Sequence, residues 1–281
     1  MVPTSTNPLV KHFRQPAIYL KLPSKGQYWP EDAIRLPLNG EVAIYPMTTK
    51  DEITLRTPDA LMNGAGVVSV IQSCCPEILD AWRMPSIDVD AVIIAIRIAS
   101  YGATMEFTSQ CPACKEIDNY GLSLQTALDQ IKLPDYATEV EIETVKVKLT
   151  PQPYFSLNNT NQAQYEEQKL LQAIENTDLD PTVRGIEIAK HMEQLVQIST
   201  ATLTSSTEYI EAEGVRVTDK EHINEFYQNA NASVAKAVQA RLANINAEGA
   251  IKPLHVNCSA CSHPFDIQVT FDYAAFFGLG S

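Results

Sequence analysis

The sequence predicts an α+β fold in which two short cysteine-bearing hairpins, far apart in the chain, close on each other around a mainly helical middle. Three observations predict it. Alternating apolar and polar runs flank both Cys111-Pro112-Ala113-Cys114 and Cys258-Ser259-Ala260-Cys261. The N-terminal part mixes short extended runs with capped helical stretches. Beyond Pro151 and Pro153 the composition turns to Asn, Gln, Glu and Ala at helical spacing. These shifts divide the chain into an N-terminal α+β region with the first knuckle (1–150), a helical insertion (151–251) and a second knuckle with a closing strand (252–281).

In chain order, Ile18, Leu20 and Leu22 alternate as a strand does, and Pro23-Ser24-Lys25-Gly26 turns. Leu36-Leu38 and Val42-Ile44 flank Asn39-Gly40, the strongest short hairpin signal. Thr49-Lys50-Asp51-Glu52 fits a capping box, in which a hydroxyl and a carboxylate satisfy free amides at a helix start. Helices are expected over about Pro58 to Ser73 and about Asp88 to Ser100, the second stopping at Gly102. Val92 to Ile96 is apolar all round, as in a buried helix or strand; its length and its flanking Asp and Gly favour helix.

Thr138 to Leu149 alternates Val and Ile with Glu and Lys, which predicts a half-buried strand or hairpin with a solvated charged face. Asp180-Pro181 opens a helix with Ile188, Met192, Leu195 and Val196 on one face. Tyr209 to Val217 folds back at Glu213-Gly214. Thr218-Asp219-Lys220-Glu221 offers a second capping box, and Val234, Val238, Leu242 and Ile245 form an apolar stripe.

Two thiolates on a Cys-x-x-Cys turn can share one tetrahedral ion, and two such turns complete a four-cysteine site. Cys111, Cys114, Cys258 and Cys261 are therefore expected to hold one structural Zn2+ in a zinc-ribbon-like unit, approached by Met105 to Thr108 and Leu254 to Val256 and followed by Ile117 to Leu124 and Phe265 to Phe271. The pairs lie much farther apart than the roughly 15–20 residues of an ordinary ribbon, so the intervening chain must bring its ends together. A redox dithiol at Cys111 and Cys114 and four unrelated thiols are the alternative readings. Redox chemistry needs the first cysteine at a helix N-terminus, and Lys115 to Gly121 is not a strong helix. His255 and His263 read as flanking residues, and Cys74-Cys75 as buried inert thiols.

The chain has 281 residues, enough for one large domain or two smaller ones, and 45% are hydrophobic. A net charge of -13 argues against sequence-independent phosphate binding, so nucleic acid is not an expected partner. There is no basic leader followed by an apolar run, and the longest apolar stretch, Ala91 to Ala99, is too short for a membrane span and contains Arg97. Six cysteines in two spaced pairs and one adjacent pair suggest metal in a reducing cytoplasm rather than a disulfide scaffold. Gly64-Ala65-Gly66 lacks the third glycine of a dinucleotide fingerprint and reads as tight helix packing, and no nucleophile elbow or phosphate-loop lysine motif is present.

Several segments together carry a resemblance: Leu22 to Gly26 with Tyr28-Trp29-Pro30, Pro46 to Ile53 with Thr57 to Leu61, Ile94 to Gly102 leading to the first knuckle, and Phe271 to Gly278 after the second. In this order they resemble the T4-like phage baseplate hub family of contractile-tailed viruses. The resemblance implies a non-enzymatic structural or assembly protein that contacts other hub or tail proteins, present in host cytoplasm during assembly and open to retention in the tail baseplate. Homo-oligomerisation stays open. A cytoplasmic zinc-ribbon adaptor or chaperone is the runner-up, and a thiol oxidoreductase using Cys111 and Cys114 the third reading. Phe276-Phe277 is a candidate anchor, with packing onto the chain's own core as the favoured alternative.

Overall fold

A computed structural model describes residues 7–57, 64–175, 180–269 and 276. After a 3-10 turn at Pro8–His12, strands β1 (Ile18–Lys21) and β2 (Glu41–Ile44) pair antiparallel, Ile18 against Ile44. The expected Asn39-Gly40 turn forms, with Gly40 N–H on the Pro37 carbonyl at 2.8 Å and φ +72 at Gly40. It does not join β2 to residues 36–38. Pro37 has no N–H to give a ladder and Leu38 is fully exposed, so β2 takes β1 as partner.

Helix α1 (Thr49–Leu55) is capped one residue earlier than expected. Thr48 is the extended N-cap, its hydroxyl accepting the Asp51 N–H at 3.3 Å while the Asp51 carboxylate accepts the Thr48 N–H at 2.8 Å. Glu52 instead accepts the Tyr101 hydroxyl at 2.9 Å. Helix α2 (Ala65–Cys74) starts after Gly64, which has φ +75; residues 58–63, where the helix was expected to begin, lie outside the described residues. A 3-10 turn, Ala81–Arg83, leads to α3 (Ser86–Tyr101), closed by Gly102 at φ +93. Val89 and Ala91 to Ile96 are all buried, which accounts for an apolar run with no polar face.

The first hairpin, β3 (Thr104–Gln110) and β4 (Ile117–Ser123), runs into α4 (Leu124–Gln130). The Thr138–Leu149 alternation is a hairpin, β5 (Val140–Ile142) and β6 (Val145–Leu149). Helices α5 (Tyr154–Glu175) and α6 (Pro181–Ser205) pack together, and β7 (Thr207–Ala212) and β8 (Val215–Val217) complete an antiparallel sheet ordered β5-β6-β7-β8. Helices α7 (Lys220–Asn229) and α8 (Ala232–Gly249) precede the second hairpin, β9 (Leu254–Asn257) and β10 (Pro264–Ile267). Strand β10 stops short of the expected Phe271, which lies outside the described residues.

Two further expectations are corrected. Asp219 caps α7, accepting the N–H groups of Glu221 and His222 at 3.0 Å each, so Thr218 is not the cap. On α6 the inward face is Ile188, His191 and Leu195, at i, i+3 and i+7, whereas Met192 and Val196 lie a step round the helix and are exposed. His191 is buried there against Glu167 at 2.6 Å.

Two apolar clusters form. One gathers β1, β2, α2 and α3, with Tyr154 and Phe276 packed into it. The other gathers Val147, Leu149, Leu203, Ile210, Ile223, Tyr227, Val238 and Ile245 around the four-stranded sheet. Of the expected α8 stripe, Val238 and Ile245 belong to it with Leu242 at its edge, while Val234 is buried outside both clusters. Phe276 packs inward, its ring 5.1 Å from the Arg97 guanidinium and its carbonyl accepting from Arg97. No helix among the described residues is long and apolar enough to cross a membrane.

Candidate metal centre

Each knuckle is the turn of a two-stranded hairpin, and the two match position for position. In the first, Cys111 N–H donates to the Glu116 carbonyl at 2.8 Å and Lys115 N–H to the Cys111 carbonyl at 3.0 Å; in the second, Cys258 N–H donates to the His263 carbonyl at 3.0 Å and Ser262 N–H to the Cys258 carbonyl at 2.9 Å. Lys115 and Ser262, the matching residues, share a left-handed backbone with φ +65 and +57. The first cysteine of each knuckle is buried and the second exposed.

The hairpins meet through their turns. Tyr120 on β4 sets its ring perpendicular to Phe265 on β10, centroids 5.8 Å apart. Asp118 is held below the ordinary carboxyl range, first by a hydrogen bond with Ser259 of the opposite knuckle. These contacts bring the four sulfurs within 4.8 Å of one another, with Cys111 to Cys261 at 3.8 Å and Cys114 to Cys258 at 3.5 Å. A tetrahedral thiolate site with metal–sulfur bonds of about 2.3 Å has edges of about 3.8 Å, so this spacing suits such an ion.

The electrostatics suit a cation as well. Backbone N–H groups, first that of Cys114 and then that of Ala113, help pull the Cys111 thiol down to about 6. Four thiols this close cannot all ionise together. Cys114 is pushed up to about 12: the Glu116 N–H opposes the rise, and hydrogen bonding with Cys261, desolvation and the other thiols outweigh it. A divalent cation among them would favour all four thiolates. The imidazoles stand aside: His255 pairs with Asp266 at 2.7 Å on the surface, and His263 contributes its carbonyl to the knuckle.

Cys74 and Cys75 are remote from this cluster and buried, and burial pushes both thiols up to about 12. The described residues bring no other group of three or more His, Cys, Asp or Glu side chains into metal-binding proximity.

The profile of the family described as T4 bacteriophage base plate protein matches residues 16–278. This chain belongs to that family. No curated protein and no solved structure matches it. Within this base plate protein, the segments that carried the resemblance have structural tasks that sequence alone left undefined. Ser24, in the Leu22–Gly26 turn, gives its N–H and hydroxyl to the fully buried Asp88 carboxylate at 2.8 and 2.5 Å, and Trp29 adds its indole N–H at 2.7 Å. Asp51, near the start of α1, accepts from Arg14 at 3.3 Å, and the same guanidinium reaches the Pro46 and Ser73 carbonyls at 2.8 and 2.6 Å. Sequence reasoning missed both Asp88 and Arg14. The only local signal for Asp88 was its place in the first turn of an apolar helix.

Proposed function

We propose that this chain is a structural or assembly component of the baseplate hub of a contractile-tailed phage, working through contacts with other hub or tail proteins. The family match over residues 16–278 is the observation that carries this reading. A non-enzymatic role accords with the structural family and with a thiol cluster whose four ligands would leave no coordination position for substrate.

We further infer that Cys111, Cys114, Cys258 and Cys261 hold one structural zinc ion. A four-sulfur donor set in tetrahedral spacing suits zinc, and the matched knuckle amides and the Tyr120–Phe265 contact supply an ordered shell around it. The redox reading fares less well. Beyond Cys114 the chain enters β4 rather than a helix, and Cys114 lies 3.5 Å from a sulfur of the other knuckle, so the four thiols form one group and not an isolated dithiol. Bound there, zinc would act as a staple between the two hairpins.

The division at 151 and 251 belongs to the same proposal. The Lys252 N–H donates to the Gln130 side chain at 3.0 Å, and a Cβ at Gly249 would meet Pro134 at 3.0 Å, so the chain returns beside residues 130–134, ahead of the proposed departure at 151. The sheet of the intervening segment extends onto β5 and β6, on the N-terminal side of that boundary.

Fractionation of assembling and finished baseplates, with detection of this chain, tests the function. Association with hub proteins before sheath assembly is the expected result, and the finished-tail fraction reports whether the chain is retained in the virion. Normal, infective tails assembled without the chain would defeat the assignment.

A further inference from the structure

We propose that the cavity between the Pro23–Gly26 turn, the Asn39-Gly40 turn and the 131–133 connection docks an acidic, apolar-anchored peptide segment of a partner protein. The cavity measures about 570 Å³, and Lys21, Lys25 and Lys132 line it together with Leu22, Ile131 and Leu133. No Asp or Glu lines it. In a chain with 34 acidic and 21 basic residues, three lysines around one hollow, with Glu41 the one carboxylate paired to any of them among the described residues, are a local reversal of sign. Lys21 shares its charge with Glu41 at 3.6 Å, in a pair largely open to solvent. Lys25 and Lys132 enter no ion pair among the described residues.

The turn that carries Lys25 is fixed in advance. Ser24 is tied through both its N–H and its hydroxyl to buried Asp88, and Trp29 closes the same carboxylate from the other end of the segment. Lys25 itself has φ +55, in the left-handed region that L side chains rarely adopt and that glycine or asparagine ordinarily fills. Lys25 thus stands on a backbone anchored from behind, which fixes where its exposed side chain starts beside the cavity and spares the turn an ordering cost on binding.

Charge complementarity names the occupant: carboxylates to neutralise the ammonium groups, and an apolar side chain to cover Ile131 and Leu133. A polynucleotide would bring similar charge along a much greater length, against a molecule of net charge -13. A short segment enters only the local field. This inference deepens the partner-contact reading above by giving the chemistry of one partner, and its test uses neither the metal nor the hub.

In that test the full-length protein is titrated with a fluorescein-labelled peptide of alternating Glu and Leu, with the same peptide carrying Lys for Glu, and with a single-stranded oligonucleotide. A carbodiimide then joins ammonium groups to carboxylates, and mass spectrometry locates the links. We expect the acidic peptide to bind, links to fall on Lys25 and Lys132 ahead of other lysines, and a Lys25→Glu/Lys132→Glu variant with unchanged circular dichroism to bind about ten-fold or more weakly. The Lys25→Arg/Lys132→Arg variant should keep its affinity. Absence of peptide binding, links spread evenly over the surface lysines, affinity indifferent to charge reversal, or an oligonucleotide that outcompetes the peptide at these lysines would each overturn the proposal. A chain that binds the peptide in this manner yet never enters hub complexes would support it and count against the hub assignment.

Discussion

The sulfurs of Cys114 and Cys258 lie 3.5 Å apart across a sequence separation of 144 positions. Protein purified without chelators should therefore carry one zinc per chain. Cys111→Ser or Cys258→Ser should lower the zinc content and reduce the melting temperature by about 5 °C or more. Acid should release the metal as the thiolates protonate. Elemental analysis and calorimetry check this; full zinc occupancy in Cys111→Ser would remove the site as drawn.

Asp88 is a second point of leverage. Burial, the largest influence, raises its carboxyl above the ordinary value against the opposing hydrogen bonds from Ser24 and Trp29. Because the folded value exceeds the unfolded one, the folded state binds the extra proton between them. The contribution of this group is thus fullest below the unfolded value and is lost as pH rises through the folded one. Asp88→Asn sets an amide NH2 against donors and should cost about 1.5–3 kcal/mol. The stability gap between wild type and variant should narrow as pH rises through that window. Denaturation across a pH series measures it, and a gap that widens with pH would contradict the assignment.

Gly64 offers a test of packing. A Cβ there would lie 2.7 Å from the Asn158 side-chain oxygen and 2.8 Å from its carboxamide carbon, and φ is +75. Gly64→Ala combines backbone strain with a contact that must yield, and should destabilise by about 1–3 kcal/mol. A chemical-denaturation midpoint equal to wild type would show that Asn158 moves aside without cost.

The thiols of Cys74 and Cys75, pushed up to about 12 by burial, should resist alkylation in the native protein near neutral pH and react on unfolding. Mass spectrometry after a short iodoacetamide pulse provides the measurement. Rapid native labelling at Cys74 would mean that Arg14, whose guanidinium nitrogen lies 3.7 Å from that sulfur, activates it more than burial suppresses it.

Periodicity made the hairpins and α3 legible because there the local pattern and the buried face coincide. The knuckles were legible for a similar reason: Cys-x-x-Cys encodes its own turn. Pairing was not. The Asn39-Gly40 turn is local and forms, but the choice of β1 over residues 36–38 depends on Pro37 and on what Leu20 and Leu22 bury. On α6, spacing placed Met192 and Val196 on one face with Ile188 and Leu195, yet a single long helix packed on α5 can turn only one stripe inward. The docking of Ser24 and Trp29 on Asp88 joins positions about sixty residues apart, a distance at which spacing within a window carries no signal.

The matched knuckles also bear on synthesis. Cys111 and Cys114 leave the ribosome long before Cys258 and Cys261, and during that interval the first hairpin has only half of the proposed ligand set. At roughly 5–20 residues per second the wait lasts from several seconds to half a minute. A nascent chain interrupted anywhere in the middle never acquires the second pair. With a metal held as proposed, completing the tetrahedron would report that translation has passed residue 261, and metal retention would separate such chains from shorter fragments.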